Sequence, residues 1–225
     1  MEKIVESIPL RDKEFVFADR TDAGRLLGAL MQAEAPDDGI LLAIPAGGIP
    51  VALAIKSFLK WPLELLLVRK VQIPWDTEAG FGAINLDGDR LFNEALLSSL
   101  SLSDEVIESQ VQKALRSINR RNTLFRSDRP FADITGKKAV IVDDGLASGY
   151  TMLAALEYVL KRKPASLLIA APTGLRPTVE RLAALADRLY CPNIRDSYPF
   201  AVASAYRNWY DVSDEEIVTA LEEKA

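Results

Sequence analysis

Short apolar runs alternate with helical patterns along this chain, and this alternation constrains the fold more than any other feature of the sequence. Runs of strand length cover residues 39–45, 63–68, 138–142, 165–171 and 188–192. Such continuous runs are typical of parallel strands buried on both faces. Helical patterns occupy residues 19–34, 50–59, 104–125, 149–163, 175–187 and 214–223. We therefore predict an α/β fold, an open, mainly parallel twisted sheet flanked by helices.

Composition excludes several classes of function. The 225 residues include no histidine and one cysteine, Cys191, and the net charge is -5. Serine hydrolases that need histidine, histidine-ligated metals and thiolate zinc sites are therefore excluded, and we expect Cys191 to be buried and inert. No long basic run favours nucleic-acid binding, and no apolar stretch reaches the roughly 18 residues of a membrane span. We expect a cytoplasmic protein without a secretory signal, bound to neither nucleic acid nor membrane.

One stretch between the strand-like runs has no clear period. Residues 71–90 contain Pro74, Gly80, Gly82 and Gly88. A loop this long inside a compact domain is often a functional lid, so we predict a loop that is either a lid or disordered.

The segment at residues 139–151 carries the most chemical information. An apolar strand ends in two adjacent carboxylates, Asp143 and Asp144, and a glycine-bearing turn then leads into a helix. Ligands of open α/β sheets bind outside the carboxyl ends of the strands, where turn amides and a helix N-terminus attract anions. Two acids would repel a phosphate, unless the ligand is extended. A phosphate would then lie in the turn, and a sugar diol would donate hydrogen bonds to the acids.

This segment resembles the phosphoribosyl-pyrophosphate motif of the type I phosphoribosyltransferases. The motif reads apolar residues, Asp-Asp, any two residues, Ala or Thr, Thr or Ser, Gly, any residue and Thr. The positions that match in register are Asp143, Asp144, Ala147, Ser148, Gly149 and Thr151, while Tyr150 stands where a small residue is more usual. A less specific resemblance to a bacterial subgroup extends over roughly residues 20–220. It implies one domain over residues 1–225, with a small hood or cap formed by about 90–130 and 195–225.

The resemblance also implies roles for individual residues. Asp143, Asp144 and Lys70 would be catalytic, and Tyr198 or Phe200 would contact a base. The turn that would bind the 5-phosphate comprises Gly145, Leu146, Ala147, Ser148, Gly149, Tyr150 and Thr151. Pyrophosphate would be bound by Ala46, Gly47, Gly48, Arg69 and Lys70. Ala46 stands where the family often has Arg or Lys. Residues 71–85 would form the flexible catalytic loop of the family, a lid that excludes water, in which Asp76 and Glu78 would contribute to charge stabilisation.

The function implied by the resemblance is transfer of a phosphoribosyl group between phosphoribosyl pyrophosphate and a nitrogenous base, by a homodimer. Magnesium would be held mainly by substrate oxygens, with Asp143 and Asp144 as the possible protein ligands. Two alternatives stay open. One is a non-catalytic regulator that binds the sugar phosphate or a nucleotide. The other is a phosphatase or hydrolase with Asp143 as nucleophile. A P-loop kinase and a dinucleotide-binding enzyme are disfavoured, because neither glycine-rich motif is present.

Overall fold

The structure is a computed structural model, and it describes residues 3–34 and 38–223, with Glu34, Thr77 and Glu78 described by their backbone alone. Contacts divide the chain into two compact units. The first comprises residues 1–66, 131–148 and 162–225, and the second comprises residues 67–130 and 149–161. The expected single domain with cap elements stays a prediction. Among the described residues, no helix has the length and apolar character needed to cross a membrane.

The structure has a strand or a helix at each position that the sequence patterns predict, together with further short elements that they did not predict. The strands are β1 (Ile4–Val5), β2 (Gly39–Ala43), β3 (Leu63–Leu65), β4 (Val68–Ile73), β5 (Asp76–Asn85), β6 (Arg90–Phe92), β7 (Lys138–Val142), β8 (Ser166–Ala170), β9 (Thr173–Leu175), β10 (Arg188–Tyr190) and β11 (Asn193–Arg195). The helices are α1 (Arg20–Glu34), α2 (Gly48–Leu59), α3 (Glu94–Leu100), α4 (Asp104–Arg126), α5 (Tyr150–Leu160), α6 (Arg176–Leu185) and α7 (Asp214–Glu222).

A six-stranded parallel sheet forms the centre of the first unit. Its strand order is β1-β10-β8-β7-β2-β3, and every neighbouring pair is parallel. The last four residues of β2, β7 and β8 are all buried, as expected for strands covered on both faces. Helices flank this sheet, and the predicted fold class is confirmed. From β2 the chain proceeds to β3 on one side, whereas β7 is followed by β8 on the other, so the strand order reverses between β2 and β7.

The second unit contains the segment that we predicted to be a loop, and that prediction was wrong. Strands β4, β5 and β6 form an antiparallel sheet over residues 68–92, and α4 and α5 pack against it. The alternation of side chains is hidden because the register shifts on both sides of Gln72 and because glycines stand where the ladder is crowded. A Cβ on Gly82 would lie 2.5 Å from the carbonyl oxygen of Leu91.

The predicted strand at residues 63–68 is also divided. β3 ends at Leu65, where the Leu66 amide still bonds to the Ala43 carbonyl, and β4 begins at Val68 in the other unit. Arg69 and Lys70 therefore lie inside β4, opposite Ile84 and Ala83, and do not close a buried parallel strand.

The start of α1 lies beside the segment between β11 and α7, residues 196–213, which we call the tail. The amide of Phe17 bonds to the Ala205 carbonyl at 3.0 Å, and the amide of Arg207 returns a bond to the Phe17 carbonyl at 2.9 Å. Asp19 caps α1 by accepting from the Asp22 amide at 2.8 Å. This pairing places the first residue of α1 next to the aromatic residues of the tail.

Candidate functional site

The carboxyl ends of β2 and β7 lie side by side at the reversal of strand order. Ala43 is opposite Val142, and the Ile44 amide donates to the Val142 carbonyl at 2.9 Å. Residues 46–48 follow one strand and residues 143–148 follow the other. The sheet therefore brings the predicted pyrophosphate turn and the predicted acid pair together at the edge where ligands of open α/β sheets bind.

Both glycines of residues 46–48 are required by space. A Cβ on Gly47 would lie 1.8 Å from Asp144 Oδ2, and one on Gly48 would lie 2.5 Å from the Val142 carbonyl oxygen. Gly47 has φ −63°, which any residue adopts, so close approach and not backbone conformation demands glycine there. The peptide bond between Pro45 and Ala46 is cis. The amides of Ala46 and Gly47 donate no hydrogen bond to any described residue, which leaves them for a ligand or water.

The acid pair is partly buried and electrostatically coupled. Asp143 Oδ1 accepts from the Asp144 amide at 2.9 Å, and Asp144 Oδ2 forms a salt bridge of 2.8 Å with Arg20. Burial, followed by the negative charge of Asp144, raises the pKa of Asp143 well above its usual value. Burial also raises the pKa of Asp144, and the Arg20 guanidinium partly offsets that rise. The Arg20 guanidinium thus favours the ionised form of Asp144.

Arg20 is a member of this site that sequence reasoning missed. Only 6% of the residue is exposed, its guanidinium stacks 3.9 Å from the centroid of the Trp209 ring, and Nη1 donates to the Tyr210 carbonyl at 2.8 Å. Tyr206 completes the cluster by donating its hydroxyl to the Asp144 carbonyl at 2.6 Å. An arginine at the first residue of an amphipathic helix is ordinary, so the sequence carried no signal for this role.

Hydrogen bonds to β9 and α6 hold residues 145–148 in place. The Leu146 amide donates to the Thr173 carbonyl at 2.9 Å, and Thr178 Oγ1 donates to the Ala147 carbonyl at 2.7 Å. Arg181 donates to the Ser148 carbonyl. The amides of Gly145, Ala147 and Ser148 donate no hydrogen bond within the described part of the chain. Carbonyls held by the side chains of α6, together with amides that have no partner there, make a turn suited to an anion.

The chain continues from Ser148 into the second unit at Gly149. Gly149 is the N-cap of α5 with φ 80°, a conformation that favours glycine, and its carbonyl accepts from the Leu153 amide at 2.9 Å. Tyr150 and Thr151 form the first turn of α5. Their contribution to phosphate binding stays a prediction.

The other residues predicted for the pyrophosphate and the lid lie in the second unit. On β4, the Lys70 side chain packs across the sheet on Gly80, where a Cβ would lie 2.2 Å from Lys70 Cγ. Asp76 begins β5 and accepts from the Ala79 amide at 3.0 Å. The side chain of Glu78 lies outside the described part of the chain. Roles for Arg69, Lys70, Asp76 and Glu78 in catalysis stay predictions.

The predicted base-binding aromatics lie after β11. Tyr198 is 74% exposed and Phe200 is partly buried, and neither is among the aromatic residues that surround Asp144. The tail instead contacts the turn through Val202, whose Cγ1 lies 2.4 Å from the position that a Cβ on Gly145 would take. Base contact by Tyr198 or Phe200 stays a prediction. Cys191 is buried, and its raised pKa keeps the thiol protonated, so its expected inertness fits its environment.

Comparisons with known proteins agree on one family. The family model described as "Phosphoribosyl transferase domain" matches residues 22–204. A Mycobacterium tuberculosis protein named "Putative phosphoribosyl transferase Rv0571c" is 36% identical over 207 residues, which are 92% of this chain and 46% of the relative. This chain therefore spans about half the length of the curated relatives it matches.

Solved structures share the fold. Protein TT1426 from Thermus thermophilus superposes with a TM-score of 0.73 at 31% identity, over 92% of this chain and 98% of that chain. Protein AQ2163 from Aquifex aeolicus superposes with a TM-score of 0.51 at 12% identity, over 83% of this chain and 78% of that one, and that similarity concerns the fold alone.

Proposed function

This chain belongs to the phosphoribosyl transferase family, and from that premise we propose that it transfers a 5-phosphoribosyl group between phosphoribosyl pyrophosphate and a nitrogenous base. The single observation that carries the proposal is the meeting of residues 46–48 with Asp143 and Asp144 at the reversal of strand order. One turn offers free amides for an anion, and the other carries an acid pair suited to a sugar diol.

The 5-phosphate is bound by the turn that follows the acids. The free amides of Gly145, Ala147 and Ser148 support this assignment, as does the anchoring of the turn by Thr178. Amides fixed in advance bind an anion without the cost of ordering a loop. Gly149, Tyr150 and Thr151 extend the same binding segment along the chain.

The ribose lies against the acid pair. An ionised carboxylate has about four lone-pair positions, and Arg20 uses one of those on Asp144, so acceptors remain for the sugar hydroxyls. Negative charge on Asp144 also stabilises the positive charge that develops at the anomeric carbon as the glycosidic bond breaks. Pyrophosphate departs toward residues 46–48. Contact with the pyrophosphate oxygens is also the role proposed for Arg69 and Lys70.

Magnesium fits the same carboxylates. Among the described residues, no group of three or more acidic or thiol side chains could hold a metal ion. Magnesium is commonly held by one or two carboxylates together with substrate phosphates, so the donor set of Asp143 and Asp144 fits an ion carried by the substrate. When bound, magnesium neutralises charge on the pyrophosphate. The homodimer and the cytoplasmic location belong to this proposal as well.

The test measures pyrophosphate release from phosphoribosyl pyrophosphate with magnesium and a panel of purine and pyrimidine bases. We expect turnover with at least one base, and a loss of at least about 10³-fold in the Asp143→Asn/Asp144→Asn variant, since both charges of the acid pair are removed. The matched control is Asp38→Asn/Asp133→Asn, the same change at two exposed aspartates. Full activity in the first variant would refute the role of the acid pair.

A second candidate is a regulator that binds phosphoribosyl pyrophosphate or a nucleotide without turnover. It is favoured by Ala46, which brings no positive charge to residues 46–48, and by the salt bridge that already occupies Asp144. Binding of phosphoribosyl pyrophosphate with no product from any base in the panel would favour this candidate over the transferase.

A further inference from the structure

Arg20 and Gly47 both approach one carboxylate oxygen of Asp144. The Nε atom of Arg20 is 2.8 Å from Asp144 Oδ2, and a Cβ on Gly47 would lie 1.8 Å from that oxygen. The guanidinium and the turn at residues 46–48 are therefore joined through one atom. We propose that Arg20 is the cation that binds the pyrophosphate group, in place of the basic side chain that is absent at Ala46. This inference rests on the proposed function.

The guanidinium has donors left for a ligand. Nε is bound to Asp144 and Nη1 to the Tyr210 carbonyl. Nη2 forms no hydrogen bond within the described part of the chain. It is not fully buried either, so it is accessible to solvent. A guanidinium carries five N–H groups in a planar fork, and charge-assisted bonds from such a fork suit the oxygens of a phosphate.

The tail holds Arg20 in one orientation before any ligand arrives. The guanidinium stacks on Trp209 and lies 5.9 Å from the centroid of the Tyr206 ring. Stacking on a tryptophan face and a bond to a backbone carbonyl restrict the side chain before a ligand binds. Little further conformational entropy is then lost on binding. Arg20 can therefore meet an anion without reorganisation, and it keeps its bond to Asp144 while Nη2 donates to the ligand.

Most residues of this cluster lie outside the region that matches the family model. The match covers residues 22–204, so it includes Asp144 but not Arg20, Tyr206, Trp209 and Tyr210. The match with the family model therefore does not reach Arg20. The role follows from the bond of its Nε to Asp144 Oδ2, the oxygen that faces Gly47.

Arg20 acts on the leaving group in the proposed reaction. The bond between the anomeric carbon and the pyrophosphate oxygen breaks, and its electron pair leaves with the pyrophosphate. A ring nitrogen of the base forms the new bond to carbon and loses its proton to water. Because the negative charge on the departing oxygen grows as the bond breaks, a fixed cation beside it lowers the barrier.

Three probes separate contact with pyrophosphate from support of Asp144. Phosphoribosyl pyrophosphate carries both the sugar and the pyrophosphate, ribose 5-phosphate carries only the sugar part, and inorganic pyrophosphate carries neither sugar nor 5-phosphate. Calorimetric titration with magnesium gives the affinity of each probe for the wild-type protein, Arg20→Gln and Arg20→Lys. Arg207→Gln is the control, because Arg207 is an exposed arginine of the same tail whose Nε donates to the Phe15 carbonyl.

We expect Arg20→Gln to bind phosphoribosyl pyrophosphate and pyrophosphate about 10- to 100-fold more weakly, the loss typical of a charge-assisted hydrogen bond. Its affinity for ribose 5-phosphate should change less than about 3-fold, which also shows that the variant is folded. Arg20→Lys should be intermediate, and Arg207→Gln should match the wild type.

Two results would overturn the assignment. Equal losses for ribose 5-phosphate and phosphoribosyl pyrophosphate would mean that Arg20 acts only by positioning Asp144. Unchanged affinity for phosphoribosyl pyrophosphate would mean that Arg20 does not contact the ligand. Failure of the wild-type protein to bind either sugar phosphate would instead refute the proposed function, and this inference with it.

Discussion

Replacement of Gly47 by alanine tests the contact on which the site depends. The added Cβ would lie 1.8 Å from Asp144 Oδ2, and ordinary van der Waals contact begins at 3.4 Å, so the two atoms must separate by about 1.6 Å. Gly47 has φ −63°, so alanine introduces no backbone strain. The whole effect therefore comes from the displaced carboxylate.

A displaced Asp144 carboxylate loses its ion pair with Arg20. Moving it disrupts the 2.8 Å bond to Arg20, and Arg20 cannot follow freely because it is held by Trp209 and the Tyr210 carbonyl. Breaking a buried ion pair costs about 3–5 kcal/mol, and we expect about 3 kcal/mol here because Asp144 keeps some access to water. Its side chain is 16% exposed. A displacement of this size should also reduce turnover by about 100-fold.

A double-mutant cycle measures the contact directly. Urea unfolding followed by far-UV circular dichroism gives the free energy of unfolding of the wild type, Gly47→Ala, Asp144→Ala and the double variant. In the Asp144→Ala background the clashing oxygen is absent, so Gly47→Ala should cost less than about 0.5 kcal/mol. An equal cost of Gly47→Ala in both backgrounds would refute the argument, because the strain would then lie elsewhere.

Two further substitutions test the acid pair and the turn. The raised pKa of Asp143 means that its ionised form opposes folding, so Asp143→Asn should increase the free energy of unfolding near neutral pH. The gain should vanish as the pH falls below about 4, where the carboxyl becomes protonated in the unfolded chain too. Urea midpoints measured across this pH range check the trend, and a gain that grows as the pH falls would contradict it. Thr178→Val removes the 2.7 Å bond to the Ala147 carbonyl and should cost about 1 kcal/mol. It should also weaken ribose 5-phosphate binding several-fold in calorimetry, and unchanged affinity would contradict a positioning role for Thr178.

The antiparallel sheet of the second unit could not be predicted from the sequence. Its pairing depends on glycines that admit the opposite strand, such as Gly80 against Lys70 and Gly82 against the Leu91 carbonyl. The register shifts around Gln72 then break the period of two on which strand prediction depends. A stretch whose glycines and bulges serve strand pairing is therefore indistinguishable in sequence from a loop.

What the sequence determined by itself was local. Continuous apolar runs predict buried parallel strands, and residues 139–151 contain a complete strand, acid pair and turn within thirteen positions, so the phosphoribosyl motif is readable without any tertiary information. The tertiary structure alone placed a cation against the acid pair of that motif. Arg20 meets Asp144 across 124 positions and the Tyr210 carbonyl across 190. No pattern in the chain reports such a contact, because it exists only when the sheet and the paired tail bring those distant segments to one guanidinium.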